Sequence, residues 1–487
     1  IFIFVVFAAF LDRAGMLALF NDFALGLVGS WRGGPAQVCV MSSALMGTIS
    51  GSGVANVVAS GQFTIPLMKR FGFRSAFAGG VEATSSMGGQ IMPPVMGAVA
   101  FIMAETLNVP YVEVVKAALI PAVLYFGVCF WMVHLEAGKA GLGGMDKKTL
   151  PDPWAALRQH WPLVLPLGML VYLLFAGYTP IFAGTMGLAL IVVLILGTPL
   201  AALIGPFAFR MVFWVALGLT AATFMKYGIN ILAIVIGLLI AACAVVKGGR
   251  ETLAICRDSM AEGAKNALPG GIACAIVGIV IGTLTLTGIA STFIGWVIVV
   301  GENNLFLSLI LTMITCLVLG MGIPTIPNYI ITSSLAGPAL LELGVPLLVS
   351  HMFVFYFGIM ADLTPPVALA CFAAAPMAKT SGLKISVQAT KLATAGFVVP
   401  FMAVYTPALM LQDPGPLSAY IGYWGEVAYI FLKACFGIAL WGAAVVGFLF
   451  ARALWWERLG CLLAGTLLVL ALPLTVEAGW VLGIAVV

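Results

Sequence analysis

Asn56 and Asn328 begin the same pattern twice, 272 positions apart. Read forward without a gap, Pro66 meets Pro338, Gly72 meets Gly344, and Ala98 meets Ala370. The triplet Pro93-Pro94-Val95 meets Pro365-Pro366-Val367. Gly, Pro and Asn hold the register while the apolar residues between them differ. The chain therefore reads as two copies of one unit, each a broken apolar hairpin followed by a helix interrupted at Pro-Pro. In a membrane protein, interrupted segments at matching places in two repeats are the best sequence pointer to a transport site.

That reading needs a membrane, and composition supplies it. Of the 487 residues 62% are hydrophobic and 8% charged, against roughly 25% charged in a soluble domain. Apolar runs of about 18 residues or more recur from end to end, long enough to cross a bilayer. They are continuous rather than alternating, which excludes a β-barrel and makes this an all-α polytopic membrane protein. The net charge of +4 is spread over loops and leaves no nucleic-acid footprint. Cys39, Cys129, Cys243, Cys274, Cys316 and Cys371 sit singly in apolar runs, with no CxxC or Cys/His metal spacing, and read as small buried hydrophobes. The sequence opens inside an apolar run, Ile1 to Phe10, as a piece cut from a longer chain would.

Loop charges orient the copies, because cytoplasmic loops collect Lys and Arg. Lys69, Arg70 and Arg74 follow the first hairpin, whereas the matching stretch Ala339 to Leu348 has no basic residue and contains Glu342. After the first Pro-Pro helix, Ala104 to Glu113 holds two Glu and no base; after the second come Lys379, Lys384 and Lys391. Both comparisons reverse sign, so the copies lie in opposite orientations. Crossings read at about 77–105, 110–137, 161–178, 181–198, 203–225, 227–247 and 268–300 give the odd number this inversion requires. The span at 203–225 is interrupted by Arg210. Residues 250–268 read as a helix along the cytoplasmic surface, and spans at about 390–411, 426–451 and 459–485 close the chain.

In copy one, Ala36 to Ile49 is apolar, Ser50-Gly51-Ser52-Gly53 is not, and Val54 to Leu67 is mostly apolar again. Two short arms joined by a small polar turn read as a re-entrant hairpin, whose tip survives at membrane depth only inside protein or facing a wet cavity. In copy two, Leu305 to Leu319 enters, Gly320-Met-Gly322-Ile-Pro-Thr325 turns, and Ile326 to Leu341 leaves. Asn56 and Asn328 fall in the first turn of each exiting arm, placed to reach a ligand or to cap the arm. At the breaks, Gly89-Gln90-Ile-Met-Pro93-Pro94 answers Ala361-Asp362-Leu-Thr364-Pro365-Pro366. Two prolines remove two N–H donors and free carbonyls upstream, hard oxygen ligands suited to Na⁺. A half-helix starting at the prolines points its positive end at the gap, which suits an anion. Asp362 aligns with Gln90; an ionised Asp at mid-membrane costs about 2.5–3.5 kcal/mol, which a cation beside it would offset. Glu82 and His351 are the remaining titratable candidates for coupling, with a structural role open for each. His134 and His160 carry little signal.

At these residues the chain resembles the large membrane component of TRAP (tripartite ATP-independent periplasmic) transporters. The resemblance rests on Ser50-Gly-Ser-Gly-Val-Ala-Asn56, Gly88-Gly-Gln-Ile-Met-Pro-Pro-Val-Met-Gly97, Leu319-Gly-Met-Gly-Ile-Pro-Thr325 and Leu363-Thr-Pro-Pro-Val-Ala-Leu369. Val354-Phe-Tyr-Phe357 and Asn266-Ala-Leu-Pro269 are similar to the fused-permease branch that works with TAXI-type binding proteins. The resemblance implies an elevator-type ion-transporter fold of inverted repeats, with two re-entrant hairpins and two Pro-Pro broken helices. It implies no organic cofactor, and uptake of a small organic acid driven by Na⁺, with H⁺ as the alternative. Partners would be a periplasmic TAXI-type solute-binding protein and small-subunit helices, N-terminal or on a separate subunit, in the bacterial or archaeal inner membrane. Ser50, Gly51, Gly53, Gly89, Gln90, Gly320, Gly322, Met360 and Asp362 would build the cation sites. Ser52, Asn56, Pro94, Thr325, Asn328 and Thr364 would line the substrate gap. The matching domains are 1–35 (N-terminal scaffold helix and arm), 36–105 (repeat 1), 106–302 (scaffold and connecting helices), 303–376 (repeat 2) and 377–487 (C-terminal helices).

A channel, or a carboxylate carrier needing no binding protein, fits the repeat as well. An intramembrane enzyme does not: Thr48-Ile-Ser-Gly51 falls short of GxSG, and HExxH is absent. No GxxxxGK[ST] loop supports ATP-driven transport.

Overall fold

The computed structural model describes residues 2–49, 51–204, 209, 212–214, 216–217, 229–246, 248–470 and 473–486. Ser50, Arg210 and most of the span read at 203–225 lie outside the described residues. The described chain is helical and forms no strand. Five helices are long and apolar enough to cross a membrane, six if the first two form one span.

The chain divides into two compact units. One comprises residues 1–19 and 155–269. There α1 (Phe2–Arg13) packs on α9 (Pro180–Leu203), with Gly184 and Gly187 admitting the rings of Phe4 and Phe7. Val193, Leu196, Val235, Leu239 and Cys243 form its apolar core, and Arg13 Nε donates to Glu262 Oε2 at 2.6 Å.

The other unit comprises residues 20–154 and 270–487 and holds both repeats. Repeat 1 consists of α3 (Gly34–Gly47), α4 (Gly53–Phe71), α5 (Ser75–Gly88) and α6 (Gly97–Leu107). In repeat 2 the corresponding helices are α13 (Leu305–Leu319), α14 (Thr325–Glu342), α15 (Leu347–Ala361) and α16 (Leu369–Ala378). The hairpin arms have 14, 19, 15 and 18 residues. At 1.5 Å per residue none exceeds about 28 Å, short of the roughly 30 Å hydrocarbon core. Sequence chemistry sets their ends. Pro35 opens α3, where a missing N–H costs nothing. Ser52 and Asn304 are side-chain caps, accepting from Ala55 N and Leu307 N. Gly72, at φ 113, ends α4 in the left-handed turn that favours glycine.

The repeats interlock. α16 packs on α4 and α5, and α17 (Gly382–Leu392) lies along α5, where Gly79 and Gly80 let Ile385 and Ala389 approach. Lys69 Nζ caps α16 by donating to Ala378 O at 2.8 Å, and Thr84 Oγ1 donates to Ala389 O at 3.1 Å. The 30-residue α7 (Tyr111–Ala140) packs on α5, on α18 (Thr394–Tyr405) and on α19 (Tyr423–Val446).

Three expectations change. Residues 250–268 are not a separate surface helix: Gly249–Leu286 is continuous through Pro269, and the chain breaks at Gly288, φ 71, before Ile289–Asn303. A change from charged to apolar residues does not stop a helix, whereas a left-handed glycine does. The span read at 459–485 is two helices, Trp455–Leu470 and Pro473–Val486. The half-helices begin at Gly97 and Leu369, three residues beyond each second proline, after a left-handed residue at Met96 (φ 53) and Ala368 (φ 41). Those two positions are themselves 272 apart, so the echo extends to backbone conformation.

Candidate functional site

In repeat 1 the hairpin tip is pressed onto the helix break by glycines. A Cβ on Gly47 would overlap the Gly89 backbone, and one on Gly97 would overlap Gly51. Gly53 is held as closely by Met87 and the Gln90 amide. Gly89 to Ile91 tighten into a single turn and Met92 is extended, leading into Pro93-Pro94. Asn56 is buried one turn into α4, and its amide nitrogen reaches Ser43 O on α3 at a long 3.4 Å.

Repeat 2 reaches the same end by another contact. Asn328 Nδ2 donates to Gly358 O at 2.8 Å, tying the exiting arm to the broken helix. Gly320 leaves room for that amide and for Ala361. Gly322, at φ 75, turns the tip and lies against Val367. Asp362 ends α15; its carbonyl accepts from Ala370 N across the break, and Met360 O accepts from Leu363 N and Thr364 N. The Asp362 carbonyl keeps a lone pair for a ligand, whereas Met360 O already accepts twice.

The candidates differ in exposure. Asn56, Gln90, Asn328, Met360, Asp362 and Thr364 are buried. Gly51, Pro94 and Thr325 are half-buried, while Ser52, Gly322, Pro365 and Pro366 are exposed. Of the buried ones, Gln90 Oε1, Asn328 Oδ1, Asp362 Oδ1 and Thr364 Oγ1 have no protein hydrogen-bond partner. Buried polar atoms are nearly always paired, and unpaired ones call for a ligand or a water. Gln90 Oε1 and Asp362 Oδ1, both among the cation candidates, are hard oxygen donors of the kind that suits Na⁺, so these residues fit the cation that the sequence implied; Asn328 and Thr364 are substrate candidates. Ser50, a further cation candidate, lies outside the described residues.

Among the described residues, the recorded contacts join candidates within each repeat, and no hydrogen bond links the substrate candidates of one repeat to those of the other. The repeats meet where α16 packs on α4 and α5, and also where α6 packs on α14 and α15. Two tyrosines that sequence reasoning passed over hold this region. Tyr111 donates to Pro94 O (2.6 Å) and Val95 O (2.8 Å), so α7 claims the carbonyl of Pro94. Tyr125 donates to Thr84 O at 2.9 Å, and its ring is wedged between Gly88 at the first break and Gly396 on α18. The only sequence signal for them was a polar tip on an otherwise apolar helix.

The two coupling candidates stand apart from the breaks. His351 Nδ1 is paired with Tyr329 OH at 2.8 Å and its other edge lies against Gly337, between α14 and α15. Glu82 is fully buried in α5 and accepts from Ser60, Thr64, Ser86 and Cys39.

Comparison with known proteins bears on this arrangement. The family model "Tripartite ATP-independent periplasmic transporter, DctM component" matches residues 1–201 and 199–416. The chain is similar to the C4-dicarboxylate TRAP transporter large permease protein DctM of Rhodobacter capsulatus, 29% identical over 38% of this chain and 44% of the relative. Its counterpart in Pseudomonas aeruginosa is 28% identical over 36% of this chain and 41% of the relative. The sialic acid TRAP transporter permease protein SiaT of Haemophilus influenzae is 27% identical over 32% of this chain and 25% of its own length. The aligned region spans less than half the length of these curated relatives. With the family model matched from residue 1 to 416, the chain belongs to the tripartite ATP-independent periplasmic transporter family as a DctM component.

Proposed function

We propose that this chain carries a small organic acid inward across the membrane, driven by a Na⁺ gradient, the acid being handed over by a periplasmic binding protein. The family's large permeases are multi-pass inner-membrane proteins, and the long apolar helices of this chain suit that place. The observation that carries the proposal is that Gln90 beside the first break, Asp362 and Thr364 at the second, and Asn328 in the arm tied to it each bury an oxygen without a protein partner. The relatives support a carboxylate: those compared are named for C4-dicarboxylates and sialic acid.

On this reading, Gln90, Asp362 and the carbonyls of Gly89 and Met360 hold cations, together with Gly51, Gly53, Gly320, Gly322 and Ser50 at the tips. A bound cation would supply the positive charge that makes the gap receptive to a carboxylate. Asn56, Asn328 and Thr364 then orient the acid, with Ser52, Pro94 and Thr325 lining the same gap. Asn56 is loosely held and free to turn toward a ligand; Asn328 spends one amide hydrogen on Gly358 and keeps the second for the acid. The half-helices α6 and α16 direct N-terminal N–H groups at the same gap. Residues 36–105 and 303–376 would move together as the carrier, against a scaffold formed by the remaining helices. The binding protein would be of the TAXI type, with small-subunit helices on this protein or a second one.

Uptake into proteoliposomes containing the full protein, its binding protein and an imposed Na⁺ gradient tests the proposal. Accumulation that follows the gradient supports it; accumulation indifferent to both Na⁺ and H⁺ gradients overturns it. Equal uptake without any soluble partner would replace it with a binding-protein-independent carrier.

A further inference from the structure

We propose that Glu82 is a proton-binding site of the first repeat, and that its occupancy is passed to Asn56 through Ser60. The proposal rests on the transport reading only in that last step. Glu82 is fully buried, and its shell consists of donors from three helices. Cys39 on α3 lies at 3.1 Å, Ser60 and Thr64 on α4 touch it, and Ser86 on α5 donates at 2.8 Å. Such a shell of hydrogen-bond donors suits a carboxylate by itself.

Two of the four donors have a second choice. Ser60 has one hydroxyl hydrogen and two acceptors in reach, Glu82 Oε1 at 2.5 Å and Asn56 O at 2.7 Å. Thr64 likewise reaches Glu82 Oε2 or Ser60 O, the latter at 3.1 Å. With Glu82 ionised, both hydroxyls turn to the carboxylate beside Ser86 and Cys39. When a proton arrives on a carboxylate oxygen, the new O–H donates to Ser60 Oγ or Thr64 Oγ1, and that hydroxyl swings to its helix carbonyl. Every polar atom stays paired in both states and no heavy atom has to move, so neither state carries the cost of an unpaired buried group. Ser60 reports the state of Glu82 when the proton is on Oε1: its hydrogen then turns to the backbone of Asn56, whose amide oxygen is 3.5 Å from the same hydroxyl.

The echo shows that this is not a requirement of the fold. At the matching positions of repeat 2 stand Leu311, Thr332, Ala336, Val354 and Gly358 in place of Cys39, Ser60, Thr64, Glu82 and Ser86. Thr332 keeps the helix bond to Asn328 O, yet Val354 is buried with no carboxyl in its place. Of the other titratable groups on helices packed against α5, the buried hydroxyl of Tyr356 on α15 has no hydrogen-bond partner, and the following are engaged elsewhere. Lys69 caps Ala378, Arg74 pairs with Glu136 of α7, Tyr125 bonds Thr84, Cys371 of α16 bonds Leu363 O, and His351 pairs with Tyr329. Arg70 on α4 and Lys384 and Lys391 on α17 are exposed.

Infrared difference spectra of the full protein in lipid, recorded across pH, test the site without any transport assay. Wild type should show the carbonyl stretch of a neutral carboxylic acid that fades as pH rises, absent from Glu82→Gln and retained in Asp362→Asn. Ser86→Ala, which removes a donor directed at the carboxyl, should leave a larger neutral fraction at a given pH; it serves also if Glu82→Gln fails to fold. No such band, or a band that survives Glu82→Gln, overturns the site, as does a Ser86→Ala titration identical to wild type. At fixed Na⁺, an inward proton gradient should change wild-type uptake several-fold and Glu82→Gln uptake not at all. Equal responses overturn the link to Asn56. A titrating band in a protein that takes up no organic acid supports the site and counts against the transport reading alone.

Discussion

Thr364 Oγ1 is buried with no partner, two residues from Asp362, whose Oδ1 is in the same condition. Deleting such a group removes no internal bond, so the effect should appear in ligand binding and not in folding. Thr364→Val is expected to leave the thermal unfolding midpoint unchanged, a stability effect within about 0.5 kcal/mol. It should raise the half-saturating substrate concentration about tenfold, the equivalent of roughly 1.4 kcal/mol of lost contact. Uptake kinetics and a melting curve on the same preparation check both halves; a lower midpoint with normal uptake would make Thr364 structural. Asp362 calls for a different experiment. A ligand that binds only the folded state stabilises it by about 2.7 kcal/mol at 100 times its Kd. Na⁺, against choline at equal ionic strength, is therefore expected to raise the melting midpoint of wild type, and Asp362→Asn should lose most of that rise. Both residues were legible in sequence, because a polar side chain beside Pro-Pro in an apolar run has few structural excuses. Tyr111 and Tyr125 were not: what singles them out is the carbonyl each one reaches, and that partner comes from another helix.

At the level of elements, the hairpins are seated by the absence of side chains. Gly47 against Gly89 and Gly97 against Gly51 bring backbone onto backbone. Gly97 is also in the left-handed region, at φ 69, where alanine is strained as well as crowded. Gly47→Ala and Gly97→Ala are each expected to destabilise by about 1–3 kcal/mol, the usual cost of overpacking, and to suppress uptake. Gly127→Ala, in α7 with open space around it, should do neither. Unfolding midpoints of the three variants, with uptake by each, give the comparison; a Gly97→Ala protein as stable as Gly127→Ala would show that the tip does not rest on the break. The hairpins and breaks themselves were readable from Gly, Pro and Asn, since those residues act on their own backbone. The starts of α6 and α16 were not, because two residues separate the prolines from the first helical residue, and proline chemistry says nothing about that length. The long helix Gly249–Leu286 was misread for a related reason: charge reports where a segment lies, not where its hydrogen bonding stops.

For the whole molecule, residues beyond 416 fall outside the family match, yet α19 covers α7 closely. Trp131 Nε1 donates to Ala439 O (3.2 Å), Lys139 Nζ to Val446 O (2.6 Å), and Gly442 lies against Trp131 and Met132. Removing residues 417–487 would cut those two hydrogen bonds, each worth about 1 kcal/mol net, and uncover the apolar face of α7. The truncated chain is expected to lose monodispersity in detergent and to melt earlier than the full chain; equal behaviour of the two would make the C-terminal helices dispensable for folding. The sequence by itself determined the membrane class, the doubled unit and the residue types at each tip and break, and its loop charges set the expectation that the copies are opposed. Those follow from composition, charge and local backbone chemistry, all properties of a residue and its immediate neighbours. Tertiary structure decided which polar groups remain without partners, and which are satisfied by a side chain or carbonyl from elsewhere in the chain. It also decided that the echo is unequal, with a donor-lined carboxyl at Glu82 in one repeat and a buried Val354 in the other. Burial and pairing depend on what packs against a residue, and in a chain this uniformly apolar nothing near it in sequence reveals the neighbour.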